Sequence, residues 1–241
     1  MASNSDHMNR RTLFLGFLFA VVLLAASSRS CRGEEVQKHG LIFEQWVRDT
    51  FFESYQPASY TQKWDIPADH NATHGGIPAN PKATKYGSPL DMGDALRQFG
   101  IAEKGERFLI IAGFWVQDGA TKKWVNAVAA EVTPEQYRTL WAPITREDLE
   151  KLDAVVKDKT LTLEEARAEA QKIKRRMPFS KAIIAVNPKI DAHQRRLQCS
   201  IRFGDFFHFL APAADPTRQE QPTLWNVPLP GPFESKPRNS K

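Results

Sequence analysis

Four side chains near the start of the chain have the types that hydrolytic chemistry uses: Glu44, Asp65, Asn80 and Lys82. Glu44 follows Leu41 by three residues and precedes Val47 by three, so helical spacing puts a carboxylate on an apolar face. A carboxylate there is costly unless it is paired or holds a metal ion. The plainer alternative is a rim position, with Glu44 paired to Arg48 one turn on. Asp65 ends the alternating run "SYTQKWDI", on the polar side of a strand, where aspartates are also common as turn residues. Asn80 and Lys82 are two residues apart, so on a strand both leave one face. An ammonium beside metal-bound carboxylates can orient a water and stabilise charge developing on a phosphate. Taken alone, Lys82 also fits a solvated surface position.

These residues need a helix and two strands to position them. "KHGLIFEQWVRDTFFESY" (38–55) reads as a helix with Leu41, Val47 and Phe51 on one face. Residues 59–66 alternate as a half-buried strand, with Tyr60, Trp64 and Ile66 inward. "ADHNATHGG" is a loop, and its His70 and His74 have no third metal-binding partner nearby in sequence. Asn71–Thr73 matches a glycosylation sequon, a pattern frequent by chance. "IPANPKA" alternates again, and its two prolines predict an edge or bulged strand. "SPLDMGDALRQF" opens on serine and proline, which predicts a helix start. "RFLIIAGFWVQ" predicts a central strand, "DG" a hairpin and "KKWVNAVAAEV" its partner. "TPEQ", "TRED" and "TLEE" carry capping-box spacing and announce three helices. "KAIIAV" and "RRLQCSIRF" read as later strands. The order predicts a mixed α/β (α+β) domain, a central mixed sheet flanked by helices.

Composition narrows the partners only weakly. The chain has 33 basic and 28 acidic residues, net +5. Residues 1–33 hold four arginines and one aspartate, so residues 34–241 carry 29 against 27, or +2. Net charge therefore says little about nucleic acid. Residues 1–33 read as a secretory signal: two arginines, an apolar run from Leu13 to Ala26, then small residues. The run is short for a membrane span, which needs about 20 apolar residues. The protein is thus expected to be exported, periplasmic or extracellular. A membrane anchor, or a cytoplasmic protein with a misassigned start, are the alternatives. Residues 34–211 form the domain, and the proline-rich residues 212–241 read as an extended or disordered tail, with "LWNVPL" as a surface-docking stretch. Cys199 reads as a small buried hydrophobe, and a pairing with Cys31 stays open.

A second cluster, "NPKIDAHQRRLQC", puts Lys189, Arg195 and Arg196 in a loop leading into a strand. Such cations can grip phosphates, and Gln194 and Gln198 have base-reading chemistry. A solvated basic turn is the alternative. "KIKRRM" (Lys172–Met177) reads as the basic end of a helix, where cations suit the dipole.

"GLIFEQWVRDTFF", "WDIPAD", "IPANPKATKYGSPLDMGDALRQF" and "NPKIDAHQRRLQCSIRF" together span most of residues 39–203. On these stretches the chain resembles the PD-(D/E)XK superfamily, type II restriction endonucleases in particular. The resemblance implies a restriction-endonuclease-like core and Mg²⁺-dependent hydrolysis of double-stranded DNA, with a homodimer as a common arrangement. It implies Asp65 as main metal ligand, Glu44 as the outer carboxylate and Lys82 as the catalytic lysine. Asn80 stands where the family has a second acid, and an amide oxygen offers a hard cation no charge. Asp94 is a further supporting candidate, with helix capping as its plainer role. Two other readings stand beside this one: an inactive relative that binds nucleic acid or protein, and a secreted binding module of unrelated α+β fold.

Overall fold

The computed structural model describes residues 40–59 and 62–235. The apolar N-terminal run and Cys31 lie outside the described residues. Among the described residues no helix is long and apolar enough to cross a membrane. The architecture is mixed α/β, a curled mixed sheet flanked by helices.

The first helix, α1, covers residues 40–51. Strand β1 (Ala79–Lys85) is the edge of a four-stranded sheet. It pairs in parallel with β3 (Phe108–Asp118), which is antiparallel to β4 (Thr121–Val132). The β3–β4 connection is the expected tight hairpin at Asp118–Gly119, with Asp118 opposite Thr121. A second, antiparallel sheet orders β2 (Leu90–Asp94), β6 (Arg195–Ile201) and β5 (Ala185–Ile190).

Strand β3 explains its own unbroken apolar sequence. Phe108, Ile110, Ala112 and Phe114 enter one hydrophobic cluster, while Leu109, Ile111 and Trp115 enter another. A strand buried on both faces has no polar side to alternate with. The first cluster gathers α2 (Ala95–Lys104), α3 (Pro134–Trp141), α4 (Arg146–Lys157), α5 (Leu163–Lys174) and the second sheet. The second gathers Phe43, Val47 and Phe52 from in and after α1. All three expected capping boxes form, at Thr133, Thr145 and Thr162.

Several expectations are corrected. Residues 62–65 do not form a strand. Trp64 packs on the first cluster and buried Ile66 on the second, and only Ile66 bridges Ala79. The next residue, Pro67, has no N–H with which to extend the pairing. The helix expected from Ser88 starts at Ala95. Leu90 and Met92 are buried alternately in β2, and Gly93, at φ +95°, sits in a bulge that a helix could not hold. Strand β5 starts at Ala185, later than "KAIIAV" suggests, and runs through "NPK". The inward face of α1 is Phe43 and Val47, and Leu41 is exposed.

The proline-rich stretch carries structure up to Ser235. A hairpin joins β7 (Thr223–Leu224) to β8 (Val227–Pro228), and β9 (Phe233–Glu234) extends the first sheet beside β4. Leu224 is buried and the Trp225 ring stacks on His74 at 3.6 Å. Cys199 is free and fully buried in the first cluster, as its alternating context suggests.

Candidate active site

The bridge at Ile66 sets the site's geometry. Ile66 and Ala79 exchange both backbone hydrogen bonds, at 3.0 and 2.8 Å. This places Asp65 beside Asn80. The Asp65 backbone N–H donates to Asn80 Oδ1 at 3.0 Å, and Asn80 is buried. Two residues along β1, Lys82 Nζ donates to Asp65 Oδ2 at 2.7 Å. Both side chains of that pair stay partly open to solvent.

Glu44 reaches the same place from α1. It is half-buried, and burial raises its carboxyl above the usual range. The Lys82 charge acts against that rise, Asp65 adds to it and Arg48 opposes it. The two acids and the lysine therefore lie within each other's fields. The alternative Glu44–Arg48 ion pair does not form among the described residues. Arg48 is 8% exposed and donates through Nη2 to Gln45 Oε1 at 3.0 Å, leaving its buried Nε without an acceptor. Helical spacing alone makes Arg48 a surface partner. Its position next to Val47, on the edge of the buried stripe, is the signal that it would be covered.

Gly113 lets α1 come this close. A Cβ on Gly113 would stand 2.5 Å from the Phe43 ring. Phe43 is fully buried and packs on Trp124 with ring centroids 5.1 Å apart. The helix is thereby pressed onto β3, and Glu44, the next residue, is carried toward β1.

The donor set suits one hard cation of modest charge demand. Among the described residues no group of three or more His, Cys, Asp and Glu side chains gathers at a point. The constellation offers two carboxylates and an amide oxygen. Mg²⁺ is commonly bound by one or two carboxylates plus water and substrate phosphate. Glu44, half-buried and without a hydrogen-bond donor among the described residues, is an acid that a cation would stabilise in its ionised form.

Other candidates fall elsewhere. Asp94 caps α2, its Oδ1 accepting the Arg97 N–H at 2.9 Å, and pairs across strands with Gln198. His70 packs on Tyr55, and His74 lies among Phe51, Phe52 and Trp225, with burial lowering its pKa. Asn71 is fully buried and donates to the His74 and Ile77 carbonyls at 3.0 and 2.6 Å, so the sequon is closed by the fold. Lys189 and Arg196 belong to strands, opposite each other, instead of the expected loop. Arg195, also on a strand, donates to the Asp158 and Leu161 carbonyls. Gln194 is held by Asp191 at 2.9 Å and accepts from Arg196 at 3.0 Å. Of the five residues expected to contact DNA, Lys189 and Arg196 are the exposed ones.

Family models, curated proteins and solved structures were compared with the chain, and none matches it.

Proposed function

We propose that this chain is a metal-dependent deoxyribonuclease of restriction-endonuclease type, built on a PD-(D/E)XK-like core with Asn80 in the second acidic position. One observation carries the reading. Asp65 and Lys82 meet at 2.7 Å, and Glu44 lies within the field of both. The contacts among Asp65, Asn80 and Lys82, with Glu44 within the field of two of them, support this reading. Asp65 and Glu44 would hold Mg²⁺, with the Asn80 carbonyl as a neutral third oxygen. A bound divalent ion supplies Lewis acidity toward the phosphate and a water of lowered pKa.

The chain's own residues do the rest. Lys82 presents a donor beside the acids, where it can orient the attacking water and stabilise charge on the phosphate oxygens. Asn80 fixes the Asp65 backbone through its N–H, so the carboxylate is held in place before substrate arrives. The Lys82–Asp65 contact at 2.7 Å sets the lysine beside the carboxylate that would hold the ion. Export through residues 1–33 is part of this proposal. Sequencing the mature N-terminus tests it, and an intact Met1 or Met8 in a soluble cytosolic fraction would contradict it.

The functional test is cleavage of supercoiled plasmid by the purified chain with Mg²⁺ or Mn²⁺. Asp65→Ala and Lys82→Ala are each expected to slow cleavage by about 10²- to 10³-fold, the size found on removing one charge-stabilising group. Cleavage that survives both changes would remove this site. A second reading has one observation in its favour. Asn80 Oδ1 already accepts the Asp65 N–H, which suits a structural amide in a weak or inactive relative that binds nucleic acid or protein. Duplex binding with no cleavage under either metal would select that reading.

A further inference from the structure

From Ala170 to Ile190 the chain has six cations and no acid. The rest of residues 34–241 then carries 23 basic against 27 acidic residues, net −4. The net positive charge of residues 34–241 therefore comes from this segment, in which Lys172 is paired with Glu169 just outside it. A basic helix end that only answers the dipole needs one or two cations. Here the fold adds more. Lys189 on β5 sits directly opposite Arg196 on β6, a like-charge cross-strand pair that costs stability. Lys174, at the end of α5, donates to Asn187 Oδ1 at 3.1 Å and is held near Lys189. Asn187 is itself fixed by Ser200 Oγ at 2.8 Å. Arg175 and Arg176 follow and line a shallow groove along α5 with Arg167, Gln171 and Lys172, and Glu164 at its start. Among the described residues, Lys174, Arg175, Arg176, Lys189 and Arg196 form no ion pair. Burial and the Lys189 charge both push the Lys174 ammonium below its usual range, the signature of cations packed without a counter-ion.

We propose that Lys174, Arg175, Arg176, Lys189 and Arg196 form a docking surface for the phosphate backbone of duplex DNA, built by the end of α5 with β5 and β6. A cluster of unpaired cations answers a polymer with repeated anions, and release of its counterions supplies the affinity. The apolar residues of the segment argue against a lipid surface. Ile184, Val186 and Ile190 are buried, and Met177 is the large apolar side chain left exposed. This surface deepens the nuclease reading by naming how the substrate is held. It also moves the DNA-binding face away from Arg195 and Gln194, which the fold uses internally.

Binding of a fluorescent 30-base-pair duplex to the full chain, in chelator and across a salt series, tests the surface without involving cleavage. Replacing Lys174, Lys189 and Arg196 together by Gln is expected to flatten the slope of log K against log salt by about 0.9 for each phosphate no longer neutralised, and to weaken binding at low salt by about tenfold or more. The double variant Arg175→Gln/Arg176→Gln, on the exposed helix end, should do the same without touching a strand. The exposed control Lys123→Gln should bind as the parent does. Unchanged affinity and slope in both multiple variants would overturn the proposal. So would capture by phosphatidylserine vesicles with no binding to the duplex. A parent chain that binds duplex through this face and never cleaves it would uphold the surface while removing the nuclease reading.

Discussion

Glu44 is held half-buried beside Asp65, with two cations near it and no hydrogen-bond donor of its own among the described residues. Its raised pKa means that the folded chain holds this proton more tightly than the unfolded chain does. The associated stability is fully present below the ordinary carboxylate range and is lost as pH rises through the folded value. Glu44→Gln is therefore expected to raise Tm at pH 7 to 8, with the gain shrinking toward pH 4 to 5, in a melt series read by circular dichroism. The same change should remove cleavage, and in the parent chain metal-dependent cleavage should fall away at less acidic pH than an ordinary carboxylate would give. A residue whose loss stabilises the fold and abolishes activity is held for function. At this scale the sequence is partly legible. Residue types and spacing mark Glu44, Asp65, Asn80 and Lys82. The internal use of Asn80 Oδ1 and the diversion of Arg195 to backbone carbonyls depend on chain segments far apart in sequence, so no local pattern could reveal them.

Helix α1 reaches the sheet because β3 has no side chain at Gly113. Gly113→Ala would drive a methyl into the Phe43 ring, and overpacking of this kind costs about 1–3 kcal/mol. Relief requires α1 to retreat from the sheet and take Glu44 with it. Denaturant melts should show the loss of stability, and metal-dependent cleavage should weaken beyond what the unfolded fraction explains. Elements with local signals are readable from sequence: three Thr-led capping boxes, the apolar run of β3 and the Asp118–Gly119 hairpin all recur in the fold. Elements defined by distant pairing are not. The Asp65 segment alternates like a strand but has one partner residue, Ala79. The β2 segment has the serine and proline of a helix start, yet a bulge at Gly93 and pairing with β6 decide its form.

At the scale of the whole fold, the C-terminal stretch packs on the same cluster that seats α1. Buried Leu224 sits in the same cluster as Phe43 and Val47, Trp225 stacks on His74, and Asn126 donates to the Asp215 and Thr217 carbonyls at 2.9 and 2.7 Å. A chain truncated after Ala211 has none of this packing. Burial of one leucine is worth about 1.5–3 kcal/mol, and each kcal/mol moves Tm by about 2–4 °C in a domain of this size. Truncation should lower Tm by about 5–10 °C. Proline content suggests a free tail, because apolar residues spaced by prolines show neither helical nor strand periodicity, and their burial follows from the surface they meet. The proposed activity requires a divalent ion, which Glu44 and Asp65 would hold at the edge of the sheet. Mn²⁺ titration of the apo chain, followed by loss of the free-ion electron paramagnetic resonance signal, tests this most directly. One saturable site is expected, lost in Asp65→Ala, weakened in Glu44→Gln and tightened about tenfold in Asn80→Asp by the added charge. Equal Mn²⁺ binding by the parent chain and all three variants would contradict it.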